Sequence, residues 1–137
     1  MPDQAHVDLS KYRLEAAAAM LRDAEVLYEQ GSYKSSNNRA YYAMFYATRA
    51  LLALEGVDFK KHSAIISYFQ SQYIKTGLID KACAKMLLKA STIRNASDYN
   101  DFFIASREET RQQIENAGAF LTAITEYMEK AAALKTV

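Results

Sequence analysis

The chain has 137 residues, half of them hydrophobic, and a formal net charge of +1. That is one domain with mass enough for a real core, and the near-zero charge excludes a global attraction to nucleic acid, so any RNA contact needs a local basic patch. A single cysteine, Cys83, excludes an internal disulfide and fits a reducing cytoplasm, and no apolar run approaches the length of a membrane span.

The start, Met1-Pro2-Asp3-Gln4-Ala5, has neither a basic region nor an apolar core, so no signal peptide is expected. Residues 1–8, with His6, are expected to form a flexible N-terminus ahead of a single helical domain over 9–134. From about Leu9 to Gln30, Leu14, Ala17, Leu21, Ala24 and Tyr28 recur at helical spacing, and Gly31 supplies a left-handed stop. A second helix starts near Ser32 or Ser35 and runs to Glu55-Gly56. Its apolar residues go almost all round, from Tyr41, Tyr42, Met44, Phe45 and Tyr46 to Leu51, Leu52 and Leu54. Such a helix belongs in the centre of a bundle or at a second interface, and it is expected to need a surface beyond one small bundle. Along it Arg39 and Arg49 alternate with Tyr41, Tyr42 and Tyr46, a pattern that serves base stacking or a self-complementary interface. Core or dimer packing is the commoner use.

Lys60, Lys61 and His62 form a small basic cluster just before a third helix. In most proteins such a cluster is a solvated loop. At a helix N-terminus it can also hold an anion. The third helix begins near Ser63, buries Ile65, Ile66, Phe69 and Tyr73, and stops by Thr76-Gly77. Asp80 caps a fourth, which carries Cys83, Leu87, Ala90 and Arg94. Cys83, between Ala82 and Ala84, reads as a small core residue rather than a nucleophile.

On this fourth helix Lys81, Lys85 and Lys89 step by four and form one solvent stripe. At about 100° per residue, Arg94 falls opposite Lys85, on the side of Leu87 and Ala90. An inward guanidinium needs acceptors, and Asn95, Asp98 and Tyr99 supply polar groups within a turn or so. One outcome is a structural Arg–Asp pair that pins the helix end. The other is a polar pocket for a phosphate or nucleotide. The local pattern favours the pair, because structural ion pairs are commoner than sites. From Ser97 to Ala105 the helical pattern breaks, and Asp98-Tyr99-Asn100-Asp101 is turn chemistry. Ser106 to Glu109 is a capping box opening a last helix, with Thr110, Ile114, Ala117, Leu121, Ile124, Met128 and Ala131 along one seam. The fold class is therefore all-α: an antiparallel up-and-down bundle of four long helices plus a shorter one. There is no Gly-rich phosphate loop, CxxC pair, HExxH or GxSxG. No cofactor or metal site is expected, since the carboxylates have no clustered histidines to join them.

Three blocks together resemble the HEPN family (higher eukaryotes and prokaryotes nucleotide-binding), the type often paired with a minimal nucleotidyltransferase. The first runs from Arg39-Ala40-Tyr41-Tyr42 to Leu52 and is similar to the family's aromatic central helix. The second runs from Lys60-Lys61-His62-Ser63 to Thr76-Gly77-Leu78. The third, Arg94-Asn95-Ala96-Ser97-Asp98-Tyr99, resembles its arginine-centred motif. The resemblance implies a homodimer in which the arginine motifs of two protomers meet near the axis. In active members the arginine is followed a few positions later by a histidine, and the pair acts as a metal-independent ribonuclease. Here that stretch holds Tyr99, Asn100 and Asp101 instead. The expectations are a non-catalytic or weakly catalytic dimer that binds RNA or nucleotide phosphate through Arg94, Asn95, Asp98 and Tyr99. Its partner would be a minimal nucleotidyltransferase in a toxin–antitoxin-like or stress module. The alternatives are a ribonuclease using Arg94 with Tyr99 or His62 as proton carrier, and a stand-alone nucleotide-binding module.

Overall fold

The computed structural model describes residues 3–135, with side chains as far as 132. It holds five helices and, among the described residues, no strand. These are α1 (Gln4–Glu29), α2 (Tyr33–Leu54), α3 (His62–Phe69), α4 (Lys81–Tyr99) and α5 (Arg107–Lys135), and a π-helical stretch, Gln70–Ile74, extends α3. Four are long and α3 is short, as the sequence predicts.

Three of the helices start where a side chain meets their free N–H groups. The Asp3 carboxylate accepts from the backbone N–H groups of Ala5 and His6, so α1 begins at Gln4 and not near Leu9. Residues 4–8 of the expected flexible N-terminus are thus helical, while residues 1 and 2 lie outside the described residues. Asp80 caps α4 through the N–H of Ala82, and Ser106 caps α5 through that of Glu109. The fourth helix runs past the expected break at Ser97, to Tyr99, so the whole arginine motif is helical. Gly31, Gly56 and Gly77 all have positive φ and close the first three turns. Gly56 has a second reason to be glycine: a Cβ there would lie 2.6 Å from the His6 ring, so the first turn of α1 packs directly on the end of α2.

α1 and α2 pack antiparallel. Ser10 donates to the carbonyl of Ala50 and Ser36 to that of Ala24, each at 2.7 Å. Buried alanines at 17, 24, 40, 43, 47 and 50 let the two backbones approach closely. α4 and α5 cover the rest of α2, and Phe69 meets Phe120 with ring centroids 5.8 Å apart. Tyr41, Met44, Phe45, Leu51 and Leu52 are all buried within this one chain. The expectation that α2 needs a further surface is therefore corrected: the other helices wrap it almost completely, and its apolar girth is no argument for a second copy. Cys83 is a buried core residue, and burial raises its thiol pKa, which keeps it unreactive.

Candidate functional site

Arg94 faces inward as the helical spacing requires. Its side chain is only 23% exposed, while Lys81, Lys85 and Lys89 stand in solvent. What it meets comes from α2. Its guanidinium carbon lies 5.4 Å from the ring centroid of Tyr41 and 5.3 Å from that of Tyr42. Two aromatic faces are favourable neighbours for a cation withdrawn from water. Asp98, one turn on, brings Oδ2 to 3.4 Å from Arg94 Nε. That is an ion pair without hydrogen-bond geometry, and the buried Nε has no hydrogen-bond partner. The structural pair exists, then, but it leaves a donor unmet.

The first residue of α3, His62, joins this group. Its Nδ1 lies 2.9 Å from the Tyr41 hydroxyl, and its ring stacks on Phe45 at 4.0 Å between centroids. Burial, and then the positive charges of Arg94 and Arg49, push its pKa below the usual histidine value. His62 is therefore neutral near pH 7, and its contact with Tyr41 leaves Nε2 as the ring nitrogen available to a ligand. Tyr41 is fully buried. Burial raises its pKa to about 12, against the opposing pull of Arg94 and a hydrogen bond with Ser91. It stays a phenol at neutral pH, able to orient the imidazole but not to act as a base. The Lys61 side chain makes no capping bond at the start of α3, so the first-turn N–H groups are left for another acceptor.

These groups line one cavity of about 310 Å³. Tyr41, His62, Ser63, Gln70, Arg94 and Asn95 supply its polar wall, and Ile66 and Leu88 its apolar one. At about 30 Å³ per water, it has room for roughly ten waters and so for a phosphate with part of its ester. Neutral imidazole, fixed guanidinium and helix N-terminus together can receive a phosphate and handle one proton. Among the described residues, no group of three or more His, Cys, Asp or Glu side chains is set to hold a metal ion.

The motif residues separate in space. Asn95 lines the cavity beside Arg94. Asp98 pairs with Arg94 but faces a different depression, shared with Lys34, Arg39 and Ser97. Tyr99 is 85% exposed and does not line the cavity. Of the basic cluster, Lys60 and Lys61 are exposed and only His62 enters the site. The tyrosine–arginine alternation on α2 splits as well. Arg39 is exposed, whereas Arg49 binds Asp58 at 3.0 Å together with Arg13 at 2.9 Å. Sequence reasoning missed Ser91 and Gln70. Ser91 was within reach, since it sits three residues before Arg94 on the same helical face. Gln70 had no local signal.

Comparison with known proteins places the chain among relatives. A family model described as HEPN domain matches residues 10–128. A "UPF0332 protein" of Thermotoga maritima is 33% identical over 119 residues, which cover 87% of this chain and 90% of the relative. A Methanocaldococcus jannaschii protein named "Putative toxin MJ0142" is 30% identical over 115 residues, 84% of this chain and 78% of its own.

Proposed function

The chain belongs to the HEPN domain family, and on that premise we propose that it is the toxin-like, RNA-phosphate-binding component of a two-component module, with Arg94 holding a phosphate and His62 moving a proton. The observation that carries this reading is the single cavity lined by both Arg94 and His62, with the Tyr41 hydroxyl on His62 Nδ1. The toxin names of relatives support the module, at the coarse level of a toxin–antitoxin-like system.

The chemistry available is attack of an RNA 2′-oxygen on the adjoining phosphorus. The 2′-proton leaves to a base, the P–O5′ bond breaks, and the 5′-oxygen takes up a proton. A neutral imidazole suits the first transfer. Arg94, always protonated, stabilises the crowded phosphate charge and shuttles nothing. The histidine missing from the positions after Arg94 thus has a candidate substitute from a different helix.

The test is cleavage of single-stranded RNA in excess chelator by wild type, Arg94→Ala, His62→Ala and Tyr99→Phe. Cleavage should be lost in the first two variants and kept in the third. Binding of RNA by wild type without cleavage would leave Arg94 as an anchor and remove His62 as a proton carrier.

That outcome belongs to a second reading, a homodimer that binds without cutting and partners a minimal nucleotidyltransferase. One observation favours it: the cavity of one chain holds one histidine, and the buried Tyr41 phenol cannot serve as the second proton carrier. Co-expression with a minimal nucleotidyltransferase, followed by size-exclusion chromatography, tests the partnership.

A further inference from the structure

His62 also lines a second cavity, of about 360 Å³, together with Phe45, Arg49, Asp58, Phe59 and Lys60. We propose that it is a second nucleotide subsite: Arg49 and Lys60 hold the phosphate next to the one at Arg94, and Phe59 carries the base between them. The ligand class is then a single-stranded RNA of at least two phosphates, rather than a mononucleotide. The proposal rests on the reading of Arg94 as a phosphate anchor and extends it.

His62 is the side chain common to the two cavities, which makes them neighbours on one surface. The two arginines that flank it are built alike. Each has an acidic partner, Asp98 for Arg94 and Asp58 for Arg49, and each has a buried Nε without a hydrogen-bond partner. The pairs differ in charge balance, since Arg94 and Asp98 match one to one. Asp58 is shared by Arg13 and Arg49, so the trio keeps one positive charge, and Arg49 remains 27% exposed. Lys60 adds a second cation with no acidic partner among the ion pairs of the described residues. Phe59 is 40% exposed at the rim, leaning on Tyr68 at 5.7 Å between centroids. An exposed aromatic face beside two cations suits a base and its phosphate. An acidic peptide would use the cations but leave the ring idle, and a free phosphate would span only one cavity.

The experiment uses the full chain and a labelled 2′-O-methyl hexauridylate, which binds as RNA but lacks the attacking hydroxyl. Lys60→Ala and Phe59→Ala are surface changes, checked for unchanged helicity and melting temperature. Each should weaken binding by roughly tenfold. Lys60→Ala should also lower the slope of log K against log salt by about 0.7, the value for one lost phosphate contact on a single strand. If hexauridylate binding disappears in Arg94→Ala but keeps its affinity and salt slope in Lys60→Ala and Phe59→Ala, the second subsite is wrong and the Arg94 anchor stands. If wild type fails to bind the probe at all, both fall.

Discussion

Arg94 and His62 influence each other through space, and that coupling is measurable one residue at a time. Burial is the largest cause of the lowered His62 pKa, and the Arg94 charge is the next. Arg94→Gln removes a positive charge at nearly constant volume, so the His62 midpoint should move up toward the ordinary value of about 6.5 without reaching it. A proton NMR titration of the imidazole reads this directly, and an unmoved midpoint would mean that the two groups are not electrostatic neighbours. The folded pKa lies below the unfolded one, so between them the unfolded chain binds the extra proton. The His62 contribution is whole above about pH 6.5 and is lost as pH falls toward the folded value. Burial and this coupling together favour a neutral imidazole beside the Arg94 cation.

Among the elements, α2 does most to build the site. It presents Tyr41 and Tyr42 to Arg94, Tyr41 and Phe45 to His62, and Arg49 to the second cavity. Its C-terminal end is tied in two places. Glu55 accepts hydrogen bonds from Tyr73 at 2.6 Å and Tyr68 at 3.2 Å, which fastens α3 and its π-helical extension to α2. Asp58 collects Arg13 of α1 and Arg49 of α2. Burial works against the Asp58 charge, but hydrogen bonds from Arg49, Arg13 and the Phe59 N–H outweigh it and hold the carboxyl below its usual range. Its stabilisation is therefore present above about pH 3.8 and is lost as pH falls through the lower folded value. Asp58→Asn should cost under about 1 kcal/mol at pH 7, because the side chain is half in solvent, and should flatten the acid limb of stability. Urea midpoints of both proteins between pH 3 and 7 check this. Parallel acid limbs would mean that the carboxylate carries none of the pH dependence.

At the scale of the whole molecule, the folded monomer buries its central helix without help, so any dimer has to be driven by other surfaces. The expectation of a homodimer rests on the family resemblance, in which two arginine motifs meet. Sedimentation at micromolar concentration should give twice the chain mass of 15.4 kDa. A species at the chain mass would leave each Arg94 cavity complete within one protomer, and catalysis would then have to work with one histidine. With a net charge of only +1, binding of RNA should depend on local cations around His62, and its salt dependence should be correspondingly shallow.

The sequence alone determined the helices, their stops at Gly31, Gly56 and Gly77, the caps at Asp80 and Ser106, and the inward direction of Arg94. These are local matters: a period of 3.6, a left-handed glycine and an N-cap act within a few residues and can be read there. It also held the family likeness, since that likeness lies in blocks of contiguous residues. What the sequence left open was the company Arg94 keeps. Tyr41, His62 and Arg94 are far apart along the chain and sit on three different helices. Only the crossing of α2 with α4, and the turn at Gly56 that brings α3 back over α2, sets the His62 ring against Tyr41 and Phe45. The same packing leaves Tyr99 in water, although it is closer in sequence to Arg94 than His62 is. Chain neighbours one turn apart share a face only if the helix presents it, whereas packed helices bring distant residues to within hydrogen-bond distance. That is how His62 comes to line the same cavity as Arg94, although no spacing rule along the chain puts it there.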